Sequence, residues 1–367
     1  MKKNFLFRLS AIAMSLILIA CGGSTSEDVV ETETTAIESE ESLNVVVTTP
    51  MLGEFVKQVA GDSVVLDVLM PAEADPHTYD PSPQDAAKIA DADIVLYVGI
   101  KYETSSLLKL IENTASTNAT LLEIGEEIDP IEFKDGEHDH GHHDDHDEDG
   151  HDDHDEEGHD DDKDHDHDDE DGHDDHDEEG HEGHEGHDHG SEDPHFWFDP
   201  VRVAMAVEVI KDSLVSLDPA NSSTYEANAD NFISELTDLD AQVKELIESV
   251  SEDNRKIVTT HESLGYLEAR YGIEVFATII PTLSTADEIS PSQIADVIDV
   301  IEDNNIKVLF VESEAPSIYS ETVTAEAGIT AVTGLYVETL KDGQTYSDFL
   351  ISNVTLIVES LNSAGEG

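Results

Sequence analysis

The stretch from Glu137 to Glu192 divides this chain, because no folded core can be built from it. It consists of His, Asp, Glu and Gly with one Lys and one Ser, and it has no aliphatic or aromatic side chain. Such a segment cannot bury the apolar surface that offsets the entropy cost of folding. We therefore predict a disordered loop over 137–192, with the folded architecture built from the sequence on either side.

The histidine content of this tract indicates metal binding. Of the 19 His in the chain, 16 lie between His138 and His189. Neutral imidazole and carboxylate both bind divalent transition metals, and a His-rich tract is a compositional indication of a metal site. The alternative is a solvated acidic spacer, which Asp and Glu alone would form. We predict weak auxiliary metal ligands in the tract, among them His138, His140, His142, His143, His187 and His189.

The N-terminus has the features of a bacterial secretion signal. A basic start precedes the apolar run Ala11–Ala20, which is too short to span a bilayer on its own. The run ends in Leu-Ile-Ala-Cys-Gly, which resembles a lipobox and would make Cys21 the lipidated first residue of the mature protein. We predict a lipoprotein signal peptide over 1–20 and a disordered tether over 21–42; an ordinary signal peptide is the alternative. Because Cys21 is the only Cys, no disulfide can form within the chain.

The charge of the chain argues against nucleic acid as a partner. The formal net charge is −69, and only 17 residues are Lys or Arg. The tract supplies 30 of the acidic residues against the single Lys163, so the remainder is strongly acidic as well. Phosphate backbones are bound by clusters of Lys and Arg, whereas an acidic surface attracts cations.

Outside the tract, strands alternate with helices, which predicts an α/β fold with parallel sheets covered on both faces. The β-branched and apolar runs predict strands at Leu43–Thr49, Val64–Met70, Ile94–Val98, Leu121–Ile124, Lys256–Thr260, Glu274–Thr278, Lys307–Val311 and Thr330–Thr333. We predict an N-terminal lobe over 43–220, which carries the tract, and a C-terminal lobe over 251–367. Ligands of such sheets bind beyond the carboxyl ends of the strands, so the default site is the cleft between the lobes.

One long helix is predicted to join the lobes over 221–250. Its apolar residues recur at alternating steps of four and three, which gives a narrow stripe along one face. A two-stranded coiled coil is the competing interpretation. The stripe consists of Tyr225, Ala229, Phe232, Leu236, Leu239, Val243, Leu246 and Val250.

Three His lie outside the tract, and each is in or beside a connection near a predicted strand end. They are His77, His195 and His261; the first two follow Pro76 and Pro194, which restrict the local backbone. A single His in a loop is usually a surface residue. Three at the mouths of paired lobes, in a chain with a His-rich tract, favour a metal site instead.

These three segments resemble the ligand loops of the metal-binding solute-binding proteins of bacterial ABC importers, in the zinc and manganese cluster of that family. The resemblance extends from about Leu43 to Leu361, and a His-rich insertion between the first two ligands is typical of the zinc members. The matching segments are Pro76-His77-Thr78-Tyr79, Asp193-Pro194-His195-Phe196-Trp197-Phe198-Asp199-Pro200 and Thr260-His261-Glu262-Ser263-Leu264-Gly265-Tyr266-Leu267.

The resemblance implies two lobes joined by a rigid helix, with two metal ligands from each lobe. The fourth ligand of the family is a carboxylate, usually Asp, after a late strand. Here the matching segment offers Glu338, and Asp342 or water is the alternative. Three imidazoles and one carboxylate suit tetrahedral Zn²⁺, whereas manganese favours more oxygen ligands and its family members commonly have Glu at the position of His261.

The resemblance also implies the partners. We expect a monomer, held at the membrane by its lipid, that captures extracytoplasmic Zn²⁺ and delivers it to an ABC permease and its ATPase. A manganese-binding member of the family is one alternative. A surface adhesin or zinc buffer without an importer is another. A zinc hydrolase would need an open water position on the metal and a general base, and no residue stands out as that base.

Overall fold

Eight strands form two parallel sheets in the part of the chain that the structure describes. The structure is a computed structural model, and it describes residues 42–72, 74–133, 192–314 and 318–365. The strands are β1 (Leu43–Val47), β2 (Val64–Val68), β3 (Ile94–Tyr97), β4 (Thr120–Glu123), β5 (Lys256–His261), β6 (Glu274–Ile280), β7 (Val308–Glu312) and β8 (Thr330–Leu335).

The two sheets have the same topology. Their strand orders are β2-β1-β3-β4 and β6-β5-β7-β8, and all neighbouring strands are parallel. In each sheet the first strand in sequence, β1 or β5, lies inside the sheet. The second strand pairs on one side of it, at an edge, and the third strand pairs on its other side. This reversal opens a crevice beyond the carboxyl ends of the central strands. The predicted α/β class with two parallel-sheet lobes is confirmed.

Helices cover both faces of the sheets. They are α1 (Pro50–Ala60), α2 (Pro83–Ala90), α3 (Ser105–Thr114), α4 (Pro200–Leu217), α5 (Ser222–Glu248), α6 (Gly265–Tyr271), α7 (Pro291–Asp303), α8 (Ile318–Ala327) and α9 (Tyr346–Gly365). On β1, Val45 and Val47 join one buried cluster, and Val46 between them joins another on the opposite face. Successive residues of a strand point to opposite faces, so both faces of this sheet are buried.

Several helices begin where a capping side chain precedes a proline. The Thr49 hydroxyl accepts the N–H of Leu52, and Pro50 occupies the first turn of α1. This cap explains why β1 ends at Val47, two residues before the predicted end: Thr49 is already the N-cap. Gly61 then ends α1 with a φ of 56°, in the left-handed region where glycine is favoured.

Helix α5 packs against helices of both lobes and is not one strand of a two-stranded coiled coil within the described chain. It contacts α1 and α4 of the predicted N-terminal lobe and α9 of the predicted C-terminal lobe. Its buried stripe follows the prediction up to Val243, but Ile247, and not Leu246, is buried next. A straight helix has 3.6 residues per turn, so a stripe drawn at 3.5 drifts by about 20° per heptad. Over three heptads the drift moves the buried position on by one residue.

The lobes share one apolar core along α5. The largest cluster of buried side chains includes Phe55 and Trp197 from the predicted N-terminal lobe together with Phe310 and Phe349 from the predicted C-terminal lobe. The residues from Ser42 onward form one compact unit. The lobe boundaries at 220 and 251 are therefore still predictions.

Several of the sequence predictions concern segments that the structure does not describe. Residues 1–41, with the signal peptide, Cys21 and most of the tether, lie outside the described residues, as do residues 134–191 with the tract histidines. None of the described helices is both long enough and apolar enough to cross a membrane.

Candidate metal centre

Four side chains from separate segments meet in the cleft between the sheets. His77 lies in the loop that follows β2, and His195 precedes a short 3-10 turn, Phe196–Phe198, that leads into α4. His261 is the last residue of β5, and Glu338 follows β8. Three of the four segments therefore present their side chains at or beyond the carboxyl end of a strand, where the crevice between parallel sheets is expected.

The four side chains converge on one point. Each offers one ligand atom, and these atoms all lie within 4.8 Å of one another. The Nε2 atoms of His77, His195 and His261 are 3.6, 3.4 and 2.8 Å from Oε1 of Glu338. Ligands at about 2.0 to 2.2 Å from a tetrahedral zinc are separated by similar distances, so the cluster has the size of a single-ion site.

These donor atoms are buried and make no hydrogen bond within the described chain, although the imidazoles lie close to the carboxylate. The side chains of His195, His261 and Glu338 have no solvent exposure, and that of His77 is 3% exposed. Among the described residues, the three Nε2 atoms and both carboxylate oxygens of Glu338 have no hydrogen-bond partner. Buried polar atoms without partners are costly unless something else satisfies them. A bound cation would satisfy all of them at once.

The electrostatics of the cluster also favour a cation. Burial works to raise the pKa of Glu338, but the adjacent His195 and His77 imidazoles outweigh it and hold that pKa well below the usual glutamate range. Burial works to lower the pKa of His195, but the carboxylates of Glu338 and Asp193 raise it to about 9. The carboxylate therefore stays ionised, and a metal must displace a proton from His195.

Two further carboxylates fix the orientation of two imidazoles. Asp193 Oδ1 lies 2.8 Å from His195 Nδ1 and also accepts the backbone N–H of His195 at 2.8 Å. Glu312, at the end of β7, contacts Nδ1 of His261 and accepts its backbone N–H at 3.1 Å. A carboxylate at Nδ1 holds the proton there, which leaves the Nε2 lone pair directed into the site.

An aromatic wall closes the site from the side of the N-terminal lobe. The Tyr102 ring lies 5.2 Å from the His77 ring and 5.8 Å from the His195 ring. Its hydroxyl donates to the backbone carbonyl of Glu338 at 3.0 Å. Trp197 Nε1 donates to the carbonyl of Val337 at 2.7 Å. These two bonds tie the segment that carries Glu338 to the other lobe.

The structure brings together the four cleft residues named from the sequence. Glu338 lies inside the cluster, whereas Asp342, the alternative carboxylate, is exposed to solvent. Four protein donors would fill a tetrahedral site, whereas a catalytic zinc keeps one position for water.

The sequence reasoning missed Asp193, Glu312 and Tyr102. A signal for Asp193 was present, because the tripeptide Asp-Pro-His occurs twice, at 75–77 and 193–195. In both copies the Asp side chain accepts the N–H of the His, at 2.9 Å and 2.8 Å. Glu312 and Tyr102 have no such local pattern, since they reach the site only through the packing of distant strands and loops.

Comparisons with known proteins agree with this fold and site. A family model, described as zinc-uptake complex component A, periplasmic (ZnuA), matches residues 45–360. The zinc-binding lipoprotein AdcA of Streptococcus pneumoniae is 30% identical over 382 residues, which cover 100% of this chain and 62% of AdcA. The manganese-binding lipoprotein MntA of Halalkalibacterium halodurans is 24% identical, with 98% of this chain and 99% of MntA covered.

Solved structures show the same fold. The periplasmic zinc-binding protein TroA of Treponema pallidum superimposes with a TM-score of 0.68 at 21% identity, over 88% of this chain and 99% of TroA. A manganese-bound periplasmic metal-binding protein of Candidatus Liberibacter asiaticus gives a TM-score of 0.65 at 22% identity, over 88% and 100% of the two chains. At these identities the likeness concerns the fold. The match of the family model over most of the chain shows that this protein belongs to the family of the periplasmic zinc-uptake component A, whose members are metal-binding, substrate-binding proteins of ABC importers and not enzymes.

Proposed function

We propose that this protein captures Zn²⁺ outside the cytoplasm and delivers it to the permease and ATPase of an ABC importer. The observation that carries the proposal is the buried cluster of His77, His195, His261 and Glu338, whose donor atoms have no hydrogen-bond partner among the described residues. The ion is cargo, so the site must bind it tightly and also release it. Ligands drawn from both lobes suit this role, because separation of the lobes would dismantle the site.

The donor set favours zinc over manganese. Three imidazole nitrogens and one carboxylate are the ligands of tetrahedral Zn²⁺ sites, and nitrogen donors bind zinc more strongly than manganese in the general affinity order. Manganese prefers six oxygen-rich ligands, and the described residues around Glu338 provide one carboxylate within the cluster.

Manganese is the second candidate, and the names of the relatives support it. MntA and the PsaA protein of Streptococcus anginosus are named for manganese, AdcA for zinc, and MtsA of Streptococcus pyogenes for iron. A competition titration separates the two ions. Purified protein loaded with one equivalent of zinc should keep it against a large excess of manganese; displacement of the zinc would refute the zinc assignment.

The tract over 137–192 is proposed to bind further zinc ions weakly beside the cleft. The residues that flank the tract lie close to the cleft. Glu132 and Glu192 form an antiparallel bridge, and Asp193, two residues before His195, donates its N–H to the carbonyl of Ile131 at 3.0 Å. Ions held by the tract would therefore be concentrated near His195. The six named tract histidines, from His138 to His189, are the proposed ligands.

The protein is extracytoplasmic and anchored at the membrane, and we propose the Cys21 thiol as the site of the lipid. The relatives AdcA and MntA are named lipoproteins, and the apolar run before Cys21 ends in a lipobox-like sequence. Metabolic labelling with a fatty acid tests the assignment. The wild type should be labelled and the Cys21→Ser variant should not be; equal labelling would refute it.

A further inference from the structure

The three cleft histidines are not held in place in the same way. His195 is fixed by Asp193, two residues before it, and His261 is fixed by Glu312 on the neighbouring strand β7. In both cases the carboxylate at Nδ1 comes from the same predicted lobe as the imidazole. These two imidazoles therefore keep their orientation however the lobes are arranged.

His77 lacks such a partner. No carboxylate contacts its Nδ1 among the described residues, and its ring packs edge-on against Tyr102 at 5.2 Å. Its local anchor is the backbone N–H, which donates to Asp75 Oδ1 at 2.9 Å. The position of the His77 imidazole therefore depends on where Asp75 is held.

Asp75 is held from the other lobe. Its second oxygen, Oδ2, accepts the hydroxyl of Thr285 at 2.6 Å, across 210 positions of sequence. Thr285 is 4% exposed and lies in the connection between β6 and α7. Since β2 and β6 are the corresponding edge strands of the two sheets, this bond joins the corresponding loops of the two lobes. The Asp75 carboxylate thus contacts both Thr285 of the other lobe and the backbone of the proposed ligand His77, so closure of the cleft and the position of His77 are linked.

The site comes nearest to solvent on the same side. His77 is the only one of the four clustered side chains that retains exposure, 3%. A cavity of about 290 Å³ lies against it and is lined also by Tyr102 and by Ser284, the residue before Thr285. If Thr285 moves away from Asp75, the wall of this cavity and the anchor of His77 are lost together.

We propose that the Asp75–Thr285 hydrogen bond is a latch that holds His77 in the closed site and limits the rate at which metal leaves. The latch rests on the proposed metal-binding function, since it presupposes that His77 is a ligand. Thr285 is a positioning residue, because it reaches the metal only through Asp75. Release begins with the break of this one bond, followed by withdrawal of His77 beside the cavity.

The test is the dissociation rate of zinc from the full-length protein loaded with one equivalent of Zn²⁺ and mixed with excess chelator. Trp197, the only Trp in the chain, reports on the cleft because its ring lies 5.6 Å from that of His195. In Thr285→Val the release should be about tenfold faster, since hydrogen bonds to charged groups contribute at least the ~1.4 kcal/mol that a factor of ten requires. Thr285→Ser should restore the wild-type rate, and the association rate should change little.

Thr278→Val is the matched control. Its hydroxyl is also buried, at 3% exposure, and donates to a carboxylate, Glu262 Oε1, at 3.0 Å, but within one lobe. Release from this variant should match the wild type. Unchanged release from Thr285→Val, or equal acceleration in both valine variants, overturns the latch.

Hydrogen exchange provides a second measurement. It uses the Thr285→Ala variant, which also serves if Thr285→Val does not fold. Exchange in the loop 71–82 should become faster, while exchange in 193–199 should stay as in the wild type; equal acceleration in both segments contradicts the latch. Failure of the proposed function is seen separately, because the wild type would then bind no zinc at the cleft, whatever its exchange pattern.

Discussion

The Tyr102 hydroxyl donates a 3.0 Å hydrogen bond to the backbone carbonyl of Glu338, 236 residues later in the chain. The bond is buried and crosses from one lobe to the other, at the residue that supplies the carboxylate of the cluster. Removing the Tyr102 hydroxyl would leave the buried carbonyl of Glu338 without this hydrogen bond. The segment that carries Glu338 would then be less tightly held. The Tyr102 hydroxyl therefore helps to determine the geometry of the site without being a ligand.

We expect Tyr102→Phe to weaken zinc binding by about 1 to 3 kcal/mol, the usual cost of an unsatisfied buried group, with stoichiometry unchanged. Calorimetric titration measures both quantities. Tyr97→Phe is the control, since its hydroxyl donates to Glu123 at 3.4 Å within the N-terminal lobe. Equal affinity of the Tyr102 variant and the wild type would contradict the role of this bond.

Each of three single variants, His77→Ala, His195→Ala and His261→Ala, should lose most of the stabilisation that zinc gives to the folded protein. A ligand at 1,000 times its Kd stabilises the native state by about 4 kcal/mol, provided that it binds only that state. The melting temperature with and without zinc measures the effect. His159→Ala, in the tract, is the control and should keep the wild-type zinc shift. The assignment is wrong if all three cleft variants keep it as well.

Glu338→Gln should lower zinc affinity by about a hundredfold or more, equivalent to ~2.8 kcal/mol, because a neutral amide replaces the only carboxylate in the cluster. Asp342→Asn should leave the affinity unchanged, since Asp342 is exposed. Competition with a chelator of known affinity measures both variants. The opposite pattern, with loss only in the Asp342 variant, would assign the fourth ligand to Asp342.

Deleting residues 137–191 and joining the ends by a short Gly-Ser turn should leave a folded protein with one tight zinc. The bridge between Glu132 and Glu192 already brings the two ends together, so the turn need not distort the base of the tract. Titration should show loss of the weak sites alone. If the full-length protein also binds a single zinc, the tract is a spacer; if deletion abolishes the tight site, the cleft ligands are wrongly assigned.

The stability of the metal-free protein should depend on pH through Asp240 on α5. Arg270 donates to both oxygens of Asp240, at 2.6 and 2.8 Å, and holds its pKa below the usual 3.8. A depressed carboxyl pKa stabilises the fold above the unfolded pKa, and this contribution is lost as the pH falls through the folded pKa. Asp240→Asn should therefore lower the melting temperature at pH 6, and the difference from wild type should shrink below about pH 4. A constant difference from pH 6 to pH 3 would refute the linkage.

Local sequence patterns were sufficient to predict most of the secondary structure and three of the clustered residues. The Ser82-Pro83 pair begins a helix as its chemistry requires, and Ser82 forms a capping box with Asp85. Thr49 was predicted to end a strand but is the N-cap of α1. His77, His195 and His261 could be named because they stand in distinctive short motifs outside the tract. The buried stripe of α5 was predicted correctly up to Val243, but Ile247 is buried in place of the predicted Leu246. The difference between a period of about 3.5 and one of about 3.6 residues becomes visible only after several turns.

What the sequence determined by itself was therefore local: where strands and helices form, which segment has no apolar residue, and which imidazoles were candidates for a site. Tertiary structure decided which groups meet. Glu312 reaches His261 because β5 and β7 are neighbours in the second sheet, and Thr285 reaches Asp75 because two loops 210 residues apart close over one cleft. Such contacts depend on strand order and on the packing of both lobes along α5. Neither of these produces a periodic pattern in the amino-acid sequence, so neither could be predicted from it.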